Sequence, residues 1–273
     1  MSTPNIAFIG AGNMASSIIG GLLESGHPAD AIRAADPIPD SLDKLRTIAP
    51  VQVFADNAAA VDGADVVMLA VKPQIMAPAL DSIAPAVTEA GALVISIAAG
   101  ITIDSMAKRL GRQTALVRCM PNTPALLGCG ASALYASARV NETQRQYAQT
   151  ILEAVGIVHW VPSEGALDAI TALSGSGPAY FFLFMESMIE AGTELGLDRD
   201  TATAMAQHTA LGAARMAIES DADLAELRRR VTSPGGTTEA AVASFERDGL
   251  HQIIGRAMQA AATRAADLAR DMG

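Results

Sequence analysis

The chain has 273 residues, of which 50% are hydrophobic and only 4% aromatic, so it can bury one large core or two modest ones built from Ala, Val, Ile and Leu. Its formal net charge of −10 argues against nucleic acid and anionic membranes as partners, because either would require a basic face. Two cysteines are too few for a disulfide framework, and we find no secretory pattern, so we expect a cytoplasmic protein. No apolar run is long enough to span a bilayer, so we expect no membrane helix.

Short runs of β-branched and apolar residues alternate with helical patterns throughout the first half of the chain. Such runs are typical of strands that are buried on both faces, with helices between them. The spacing predicts an α/β fold with a Rossmann-type, doubly wound parallel sheet, whose last strand follows a helix over Glu142 to Ala154. The predicted strands are Ile6 to Ile9, Ala31 to Ala35, Val51 to Phe54, Val66 to Val71, Leu93 to Ile97, Leu116 to Met120 and Val155 to Val161.

After Pro162 the strand patterns stop and every segment is helical in character. We therefore predict a dinucleotide-binding domain over residues 1–162 and an all-α domain over residues 163–273. The helix from Asp200 is rich in Ala, Thr and Gly and buries little area alone, so we expect a partner subunit to cover it. The predicted helices include Ala179 to Leu195, Asp200 to Glu219, Leu224 to Arg230 and Leu250 to Met272.

A glycine loop joins the first predicted strand to the first predicted helix. The strand ends in Gly10-Ala11-Gly12-Asn13-Met14-Ala15, and an apolar-periodic helix over Ser16 to Leu23 follows directly. Gly10 permits the turn, Gly12 lets the backbone approach a pyrophosphate, and the third position needs only a small residue, here Ala15. In this context the motif predicts that a nicotinamide dinucleotide is bound by Gly10, Ala11, Gly12, Asn13 and Met14.

Asp36 ends the second predicted strand, roughly 20 residues beyond the glycine loop, where an acidic residue commonly binds the adenosine ribose and disfavours a 2′-phosphate. This position favours NADH. The same residue could simply end the strand, and Arg33, Lys44 and Arg46 lie close enough in sequence to bind a phosphate instead. The choice between NADPH and NADH is therefore open.

Two further glycine segments lie in the predicted helical domain. Thr232-Ser233-Pro234-Gly235-Gly236-Thr237-Thr238-Glu239 opens a helix, and free backbone amides at a helix start can bind a small carboxylate without any cationic side chain. Ser174-Gly175-Ser176-Gly177-Pro178 precedes the helix over Ala179 to Leu195. Each segment could instead be a turn in which a Thr or Ser176 caps the following helix.

With these motifs the chain resembles the pyrroline-5-carboxylate reductases, the enzymes of the last step of proline biosynthesis. The resemblance spans essentially the whole chain and also includes Ala70-Val71-Lys72-Pro73-Gln74, Ser96-Ile97-Ala98-Ala99-Gly100 and Met120-Pro121-Asn122-Thr123-Pro124. It implies reduction of 1-pyrroline-5-carboxylate to L-proline with NADPH or NADH. It also implies a C-terminal dimerisation domain that interlocks with a second subunit, in a homodimer or a larger ring such as a decamer.

The resemblance also implies roles for individual residues. Thr238 would hydrogen-bond the ring nitrogen of the substrate, and Ser176 with Gly177 would orient the nicotinamide or the substrate. No strong general base is required, because an iminium is already electrophilic and positioning can do most of the work. The implied cofactor-lining residues are Asn57, Ala70, Val71, Lys72, Pro73, Ile97, Ala98 and Ala99. The implied substrate-binding residues are Glu164, Gly177, Ser233, Gly235, Gly236, Thr237 and Thr238.

Other roles for some of these residues are open. Lys72 could be a solvated cation ahead of a helix-starting Pro73, and Glu164 could be a first-turn helix charge. Arg228-Arg229-Arg230 come just before the segment Thr232 to Glu239, which we call the substrate loop. They could assist carboxylate binding or form a solvated helix end. The four histidines and two cysteines lack ligand spacing, so we predict no metal site.

Two other functions fit parts of the pattern. A dehydrogenase of hydroxy or other imino acids would share the fold, but in 3-hydroxyacid dehydrogenases a helix after a similar glycine segment carries a catalytic Lys, where this chain has Phe181 to Phe184. A nucleotide-sensing or scaffold protein would retain the cofactor loop alone, whereas Thr232 to Thr238 is intact here. The pattern therefore favours the reductase.

Overall fold

The computed structural model describes residues 3–272, which divide into two compact units. The first unit comprises the residues up to Ser176 together with those from Ala260 onward, and the second comprises Gly177–Gln259. Packing therefore divides the chain at a different place from the predicted boundary after residue 162, because the segment up to Ser176 and the end of the last helix pack within the first unit.

The first unit is built on one sheet of eight strands in the order β3-β2-β1-β4-β5-β6-β7-β8. All the predicted strands are present, and each begins and ends within two residues of its predicted bounds. The order of the first six strands is that of a dinucleotide-binding sheet. The strands are β1 Ile6–Ile9, β2 Ile32–Ala35, β3 Gln52–Phe54, β4 Val66–Leu69, β5 Leu93–Ser96, β6 Ala115–Met120, β7 Gly130–Ala136 and β8 Gly156–Trp160.

Strand β7 was not predicted from the sequence. Because it runs antiparallel to β6, the sheet is not wholly parallel, contrary to our expectation. β7 pairs antiparallel with β6 and parallel with β8, while the other neighbouring strands are parallel. Its residues are mostly Ala, Gly and Ser, which have low β propensity, and Leu134 is its only large aliphatic residue. Pairing on both edges, rather than propensity, holds this segment extended.

Helices cover both faces of the sheet. Along β1, Ile6 and Phe8 lie in one buried hydrophobic cluster and Ala7 and Ile9 in another, as expected for a strand buried on both faces. Because β1, β2, β4 and β5 are parallel, the loops that follow them meet at one edge of the sheet. The helices of this unit include α1 Asn13–Glu24, α2 Pro39–Ile48, α3 Asn57–Val61, α4 Met76–Ala90, α5 Ile103–Leu110, α6 Glu142–Glu153 and α7 Ala166–Ile170.

The second unit is helical, and within residues 3–272 no strand follows Trp160, as predicted. Of its hydrophobic side chains, only Ala202 and Ala206 are buried, whereas Phe181 is 70% exposed and Ile218 is 83% exposed. This unit therefore has almost no core of its own within one chain. Its helices are α8 Gly177–Glu194, α9 Arg199–Glu219, α10 Leu224–Arg230, α11 Thr237–Arg247 and the first part of α12 Leu250–Met272. None of the helices within the described residues combines the length and hydropathy needed to span a bilayer.

Candidate active site

The glycine loop lies at the carboxyl end of β1, and the fold itself requires a glycine at position 10. Gly10 has a φ of +100°, which residues with a side chain rarely adopt. A Cβ on Gly10 would lie 2.7 Å from the carbonyl oxygen of Ala70, which follows the neighbouring strand β4. The loop therefore passes directly beside the predicted nicotinamide segment at residues 70–73.

Gly12 is different, because protein packing does not require a glycine there. It is the N-cap of α1 with φ −73° and ψ −178°, which any residue can adopt, and a Cβ at this position would meet no protein atom within 4 Å. No side chain caps the helix, and its first turn contains no acidic residue. The helix start therefore offers open space and amide donors to an anion, as a pyrophosphate requires.

Asp36 lies beside the glycine loop, as its position after β2 predicts. Its Oδ2 accepts a hydrogen bond of 2.9 Å from the amide of Ala11, and its Oδ1 accepts one of 2.9 Å from the amide of Ile38. The half-buried carboxylate thus fixes the loop and places a negative charge next to it. Its binding of the adenosine ribose stays a prediction.

The three cations offered by the sequence for a 2′-phosphate have different surroundings. Arg33 donates a hydrogen bond to the carbonyl oxygen of Asp62, and Arg46 forms an ion pair of 2.7 Å with Asp43. Lys44 lines an open groove of about 750 Å³ along α1, together with Gly12 and Asn13 of the glycine loop. Of the three, Lys44 is therefore the one that lies along this loop.

The predicted nicotinamide segments follow adjacent strands at the same edge of the sheet. Ala70, Val71, Lys72 and Pro73 come after β4, and Ile97, Ala98 and Ala99 come after β5. The amide of Ile97 donates to Leu69, which keeps the two segments side by side. Asn57 begins α3 after β3, and its Nδ2 donates to Ser82 at 3.0 Å. The structure thus places all the predicted cofactor residues after strands of one parallel set, while their contact with the cofactor stays a prediction.

Glu164 takes part in a partly buried ion pair that the sequence did not reveal. Its Oε1 lies 2.8 Å from Nη1 of Arg118 on β6, whose side chain is only 8% exposed. The same oxygen accepts a 2.8 Å hydrogen bond from the amide of Ile103, at the start of α5. Glu164 therefore ties α5 to the sheet, directly after the predicted nicotinamide segment at residues 97–99, and its contact with substrate stays a prediction.

Ser176 follows a π turn over Thr171–Gly175, which the sequence analysis did not predict. Its φ of −86° and ψ of −18° are helical, unlike the extended conformation of an N-cap residue. The alternative that Ser176 merely caps α8 is therefore not supported. The side chain of Asn122 donates a 3.1 Å hydrogen bond to the carbonyl oxygen of Ser174 in this turn. Asn122 belongs to the Met120 to Pro124 motif, for which the sequence predicted no individual role.

The substrate loop joins α10 to α11 and contains two glycines that its own geometry explains. Gly235 has a φ of +69°, and a Cβ on Gly236 would lie 2.9 Å from the carbonyl oxygen of Ser233. Gly236 is the N-cap of α11 and receives no side-chain cap, so the alternative in which a Thr caps this helix is wrong. Thr237 and Thr238 are the first two residues of α11, and both are exposed.

Of the loop residues expected to bind the substrate carboxylate, Gly235 and Gly236 have backbone amides that are already bonded within the loop. The amide of Gly235 donates to Oε2 of Glu239 at 2.7 Å, and the amide of Gly236 donates to Ser233 at 3.0 Å. The amide of Thr237 begins the first helical turn, where backbone donors have no intrahelical acceptor. A carboxylate ligand at Gly235 or Gly236 would therefore have to replace an acceptor of the protein.

The three arginines before this loop are matched by glutamates. Arg229 and Arg230 form ion pairs of 2.7 and 2.8 Å with Glu226, and Arg228 lies 3.7 Å from Glu246. Because these side chains are mostly exposed, each pair adds little stability. The arrangement is that of a solvated helix end.

Cys119, on β6, is buried. Burial raises the pKa of the Cys119 thiol to about 12, so this cysteine stays protonated and unreactive at neutral pH. Among the residues that the structure describes, no three His, Cys, Asp or Glu side chains are grouped so that they could hold a metal ion.

Two family models match the chain, one in each half. Residues 5–100 match a model described as NADP oxidoreductase, coenzyme F420-dependent, and residues 164–268 match one described as pyrroline-5-carboxylate reductase dimerisation. The second match contains Glu164, the π turn and the substrate loop. The two matches therefore cover both groups of predicted site residues.

Similar proteins extend this match over the full length. The chain is 53% identical to a pyrroline-5-carboxylate reductase of Pseudomonas aeruginosa, with 100% of both chains covered. A solved structure of a pyrroline-5-carboxylate reductase from Coxiella burnetii has a TM-score of 0.94 at 43% identity, covering 98% of this chain and 99% of that one. Another from Plasmodium falciparum, with NADP bound, has a TM-score of 0.86 at 29% identity, with 98% and 99% covered. On this full-length similarity, the chain belongs to the pyrroline-5-carboxylate reductase family.

Proposed function

We propose that this chain reduces 1-pyrroline-5-carboxylate to L-proline with NADPH or NADH. A hydride is added to the imine carbon, a proton is taken up at the ring nitrogen, and the nicotinamide is oxidised. The observation that carries the proposal is the 53% identity over the full lengths of this chain and a reductase of that name. Both glycine loops that the chemistry needs lie within the matched span.

The cofactor would be held at the carboxyl edge of the sheet. The helix start at Gly12 has room for a pyrophosphate that no protein side chain fills, and this fit supports the assignment. Asp36 and Asn57 would hold the adenosine end, and residues 70–73 and 97–99 would line the nicotinamide, which supplies the hydride. The protein would contribute by holding the pyrophosphate, the adenosine and the nicotinamide in fixed positions at one edge of the sheet.

The substrate carboxylate would bind at the start of α11. The amide of Thr237 provides one donor, and the amides of Gly235 and Gly236 become donors once the carboxylate replaces Glu239 and Ser233. In the substrate the carboxyl group and the ring nitrogen are attached to the same carbon atom. The hydroxyl of Thr238, one residue further along the helix, can therefore hydrogen-bond the nitrogen as donor or acceptor. Ser176 and Gly177 would orient the reactants.

This arrangement favours imine reduction over alcohol oxidation. An alcohol dehydrogenase needs a base to remove the hydroxyl proton. The helix after the Ser174 to Pro178 segment carries Phe181 to Phe184 where such a dehydrogenase would have its Lys. Reduction of an iminium needs no such base, because the electrophile is already activated.

We further propose a homodimer, or a larger ring such as a decamer, in the cytoplasm. The second unit buries only Ala202 and Ala206 among its hydrophobic side chains, and such a unit needs a partner to cover it. The free thiols of Cys119 and Cys129, the latter exposed, suit a reducing compartment. Sedimentation velocity at assay concentration is expected to detect no monomer; an active monomer would contradict the assembly.

The activity is tested by mixing the purified protein with 1-pyrroline-5-carboxylate and NADPH or NADH, following the absorbance loss and detecting proline. Thr238→Ala should remove about 1 to 3 kcal/mol of transition-state stabilisation and so lower kcat on the order of tenfold to a hundredfold. The affinity for the cofactor should not change. Thr238→Ser, which keeps the hydroxyl, should retain most activity. Equal losses in both variants would assign the effect to the methyl group, and no proline formation by the unmodified protein would refute the function.

A further inference from the structure

The π turn before Ser176 is an unusual local structure, and such turns frequently occur at functional sites. Its residues are Thr171–Gly175, and the amide of Ser176 donates a 2.8 Å hydrogen bond to the carbonyl oxygen of Thr171, five residues earlier. Compared with a regular helix, the turn contains an extra residue. The direction in which Ser176 leaves the turn therefore depends on this local conformation.

The sequence removes one of the donors that a regular helix would supply at this point. The carbonyl oxygen of Ser174 would accept from the amide of residue 178 in an α-helix, and residue 178 is Pro178, which has no N–H. A carbonyl left without a donor at a partly buried position is costly. The carbonyl oxygen of Ser174 is therefore free of its usual helical donor and can accept a hydrogen bond from a side chain outside the helix.

Asn122 supplies that donor. Its Nδ2 donates to the carbonyl oxygen of Ser174 at 3.1 Å, and its Oδ1 accepts from the amide of Ala131 at 2.9 Å. The side chain is half-buried, and it connects the residues after β6 with the start of β7 and with the π turn. Because both ends of the amide are bonded, its orientation is fixed.

A second contact holds the same turn against the same segment. A Cβ on Gly175 would lie 2.5 Å from Cε of Met120, the last residue of β6. Gly175 thus lets the turn approach Met120 closely, while Asn122 bonds the residue before it. The residues on either side of Pro121 therefore both contact the turn that leads to Ser176.

We propose that Asn122 is a positioning residue, which sets the conformation of the turn at Ser174 to Ser176 and thereby aims Ser176 at the reactants. The inference rests on the proposed function, in which Ser176 orients the nicotinamide or the substrate. Asn122 itself contacts neither reactant in this scheme and acts through the backbone of the turn. Its loss should affect the same catalytic step as the loss of the Ser176 hydroxyl.

Asn122→Asp is the sharpest substitution. It keeps an acceptor for the amide of Ala131 but removes the donor to Ser174 and sets a carboxylate oxygen against a carbonyl oxygen. We expect kcat to fall on the order of tenfold, with the Kd of NADPH changed by less than about twofold. Asn122→Ser, which shortens the side chain without adding a charge, is a milder second variant and should give a smaller loss in the same direction.

Asn141→Ala is the matched control. Asn141 also accepts a backbone hydrogen bond, from Gln144 at 2.9 Å, but this bond caps α6 and does not involve the π turn. Its removal should lower thermal stability by a similar amount and leave kcat unchanged. A fall in kcat in the control equal to that in the Asn122 variants would assign both to stability and overturn the proposal.

Hydrogen–deuterium exchange tests the positioning without any turnover. In Asn122→Asp the amides of residues 171–176 should exchange faster than in the unmodified protein, and in Asn141→Ala they should not. Unchanged exchange in both would overturn the inference. Absence of turnover in the unmodified protein would instead refute the proposed function, so the two failures are distinguishable.

A double-mutant cycle identifies the route of the effect. If Asn122 acts through Ser176, then Asn122→Asp should lower kcat by less than about twofold in a Ser176→Ala background, although it lowers it on the order of tenfold alone. Equal losses in both backgrounds would mean that Asn122 acts elsewhere, and unchanged kcat in Asn122→Asp would mean that it does not act at all. Either result would overturn the proposal.

Discussion

Replacing Gly12 separates cofactor binding from folding more cleanly than any other change in the glycine loop. At this position φ is −73°, ψ is −178°, and a Cβ would meet no protein atom within 4 Å, so a larger side chain causes neither strain nor a clash in the folded protein. Gly12→Val should cost about 1 kcal/mol of unfolding free energy, because Val is a poorer N-cap than Gly. Gly12→Ser, a good N-cap residue, should not lower stability at all.

Cofactor affinity should respond very differently. The pyrophosphate is expected to accept one or two charge-assisted hydrogen bonds from the amides at the start of α1, each contributing about 1.5 to 3 kcal/mol. A side chain that keeps the pyrophosphate away from these amides should therefore weaken binding by about 2 to 4 kcal/mol, or roughly 30- to 1,000-fold in Kd. Both Gly12→Val and Gly12→Ser should show this loss.

Fluorescence titration with NADPH measures the Kd, and urea denaturation measures stability in the same variants. Gly20→Ala is the control: it lies in the same helix, its Cβ would also meet nothing within 4 Å, and it should raise stability by about 1 kcal/mol without changing the Kd. A folded Gly12→Val protein that binds NADPH as tightly as the unmodified protein would refute the dinucleotide assignment.

Substitutions at three carboxylates, those of Asp36, Glu164 and Glu239, test further parts of the site. Asp36→Ser and Asp36→Asn should both raise the ratio of kcat/KM with NADPH to that with NADH about tenfold, because each removes a charge near the 2′-phosphate. A constant ratio would mean that Asp36 only accepts the hydrogen bonds from the amides of Ala11 and Ile38. Glu164→Gln should lower the unfolding free energy by about 1 to 3 kcal/mol, because it leaves the charge of the buried Arg118 unpaired. The control Asp43→Asn, at an exposed ion pair, should change the unfolding free energy by less than about 0.5 kcal/mol. A change in the KM for substrate without a loss of stability would instead indicate that Glu164 contacts the substrate. Glu239→Gln should lower the KM for substrate about threefold by weakening a competitor for the Gly235 amide, and an unchanged or higher KM would place the carboxylate elsewhere.

The parts of the fold that follow from local pattern were predictable from the sequence. β1 and its glycine loop could be located because a buried strand, Gly10 and the helix α1 are consecutive in the chain. β7 could not, since its Ala, Gly and Ser residues are extended only because β6 and β8 pair with them. Its direction relative to β6 is likewise a property of the assembled sheet.

The contacts that orient the candidate site are mostly long-range and so have no signal at one place in the sequence. Arg118 and Glu164 are 46 residues apart, and Asn122 bonds Ser174 across 52 residues. One partial signal did exist: Pro178, four residues after Ser174, leaves a helical carbonyl without its donor. That absence predicts a donor somewhere in the fold, although it does not name Asn122.

The glycines of the two loops carry different weight as evidence for a ligand. Gly10, Gly235 and Gly236 are each explained by the protein alone, through a positive φ or a backbone atom within 3 Å of a Cβ. Gly12 is explained by neither, so the protein leaves space beside it at the start of α1, where the proposed pyrophosphate would bind. At the substrate loop the protein alone explains both glycines, so the proposal there depends on the backbone amides and on Thr238. The hydroxyl of Thr238 is therefore the decisive group to remove.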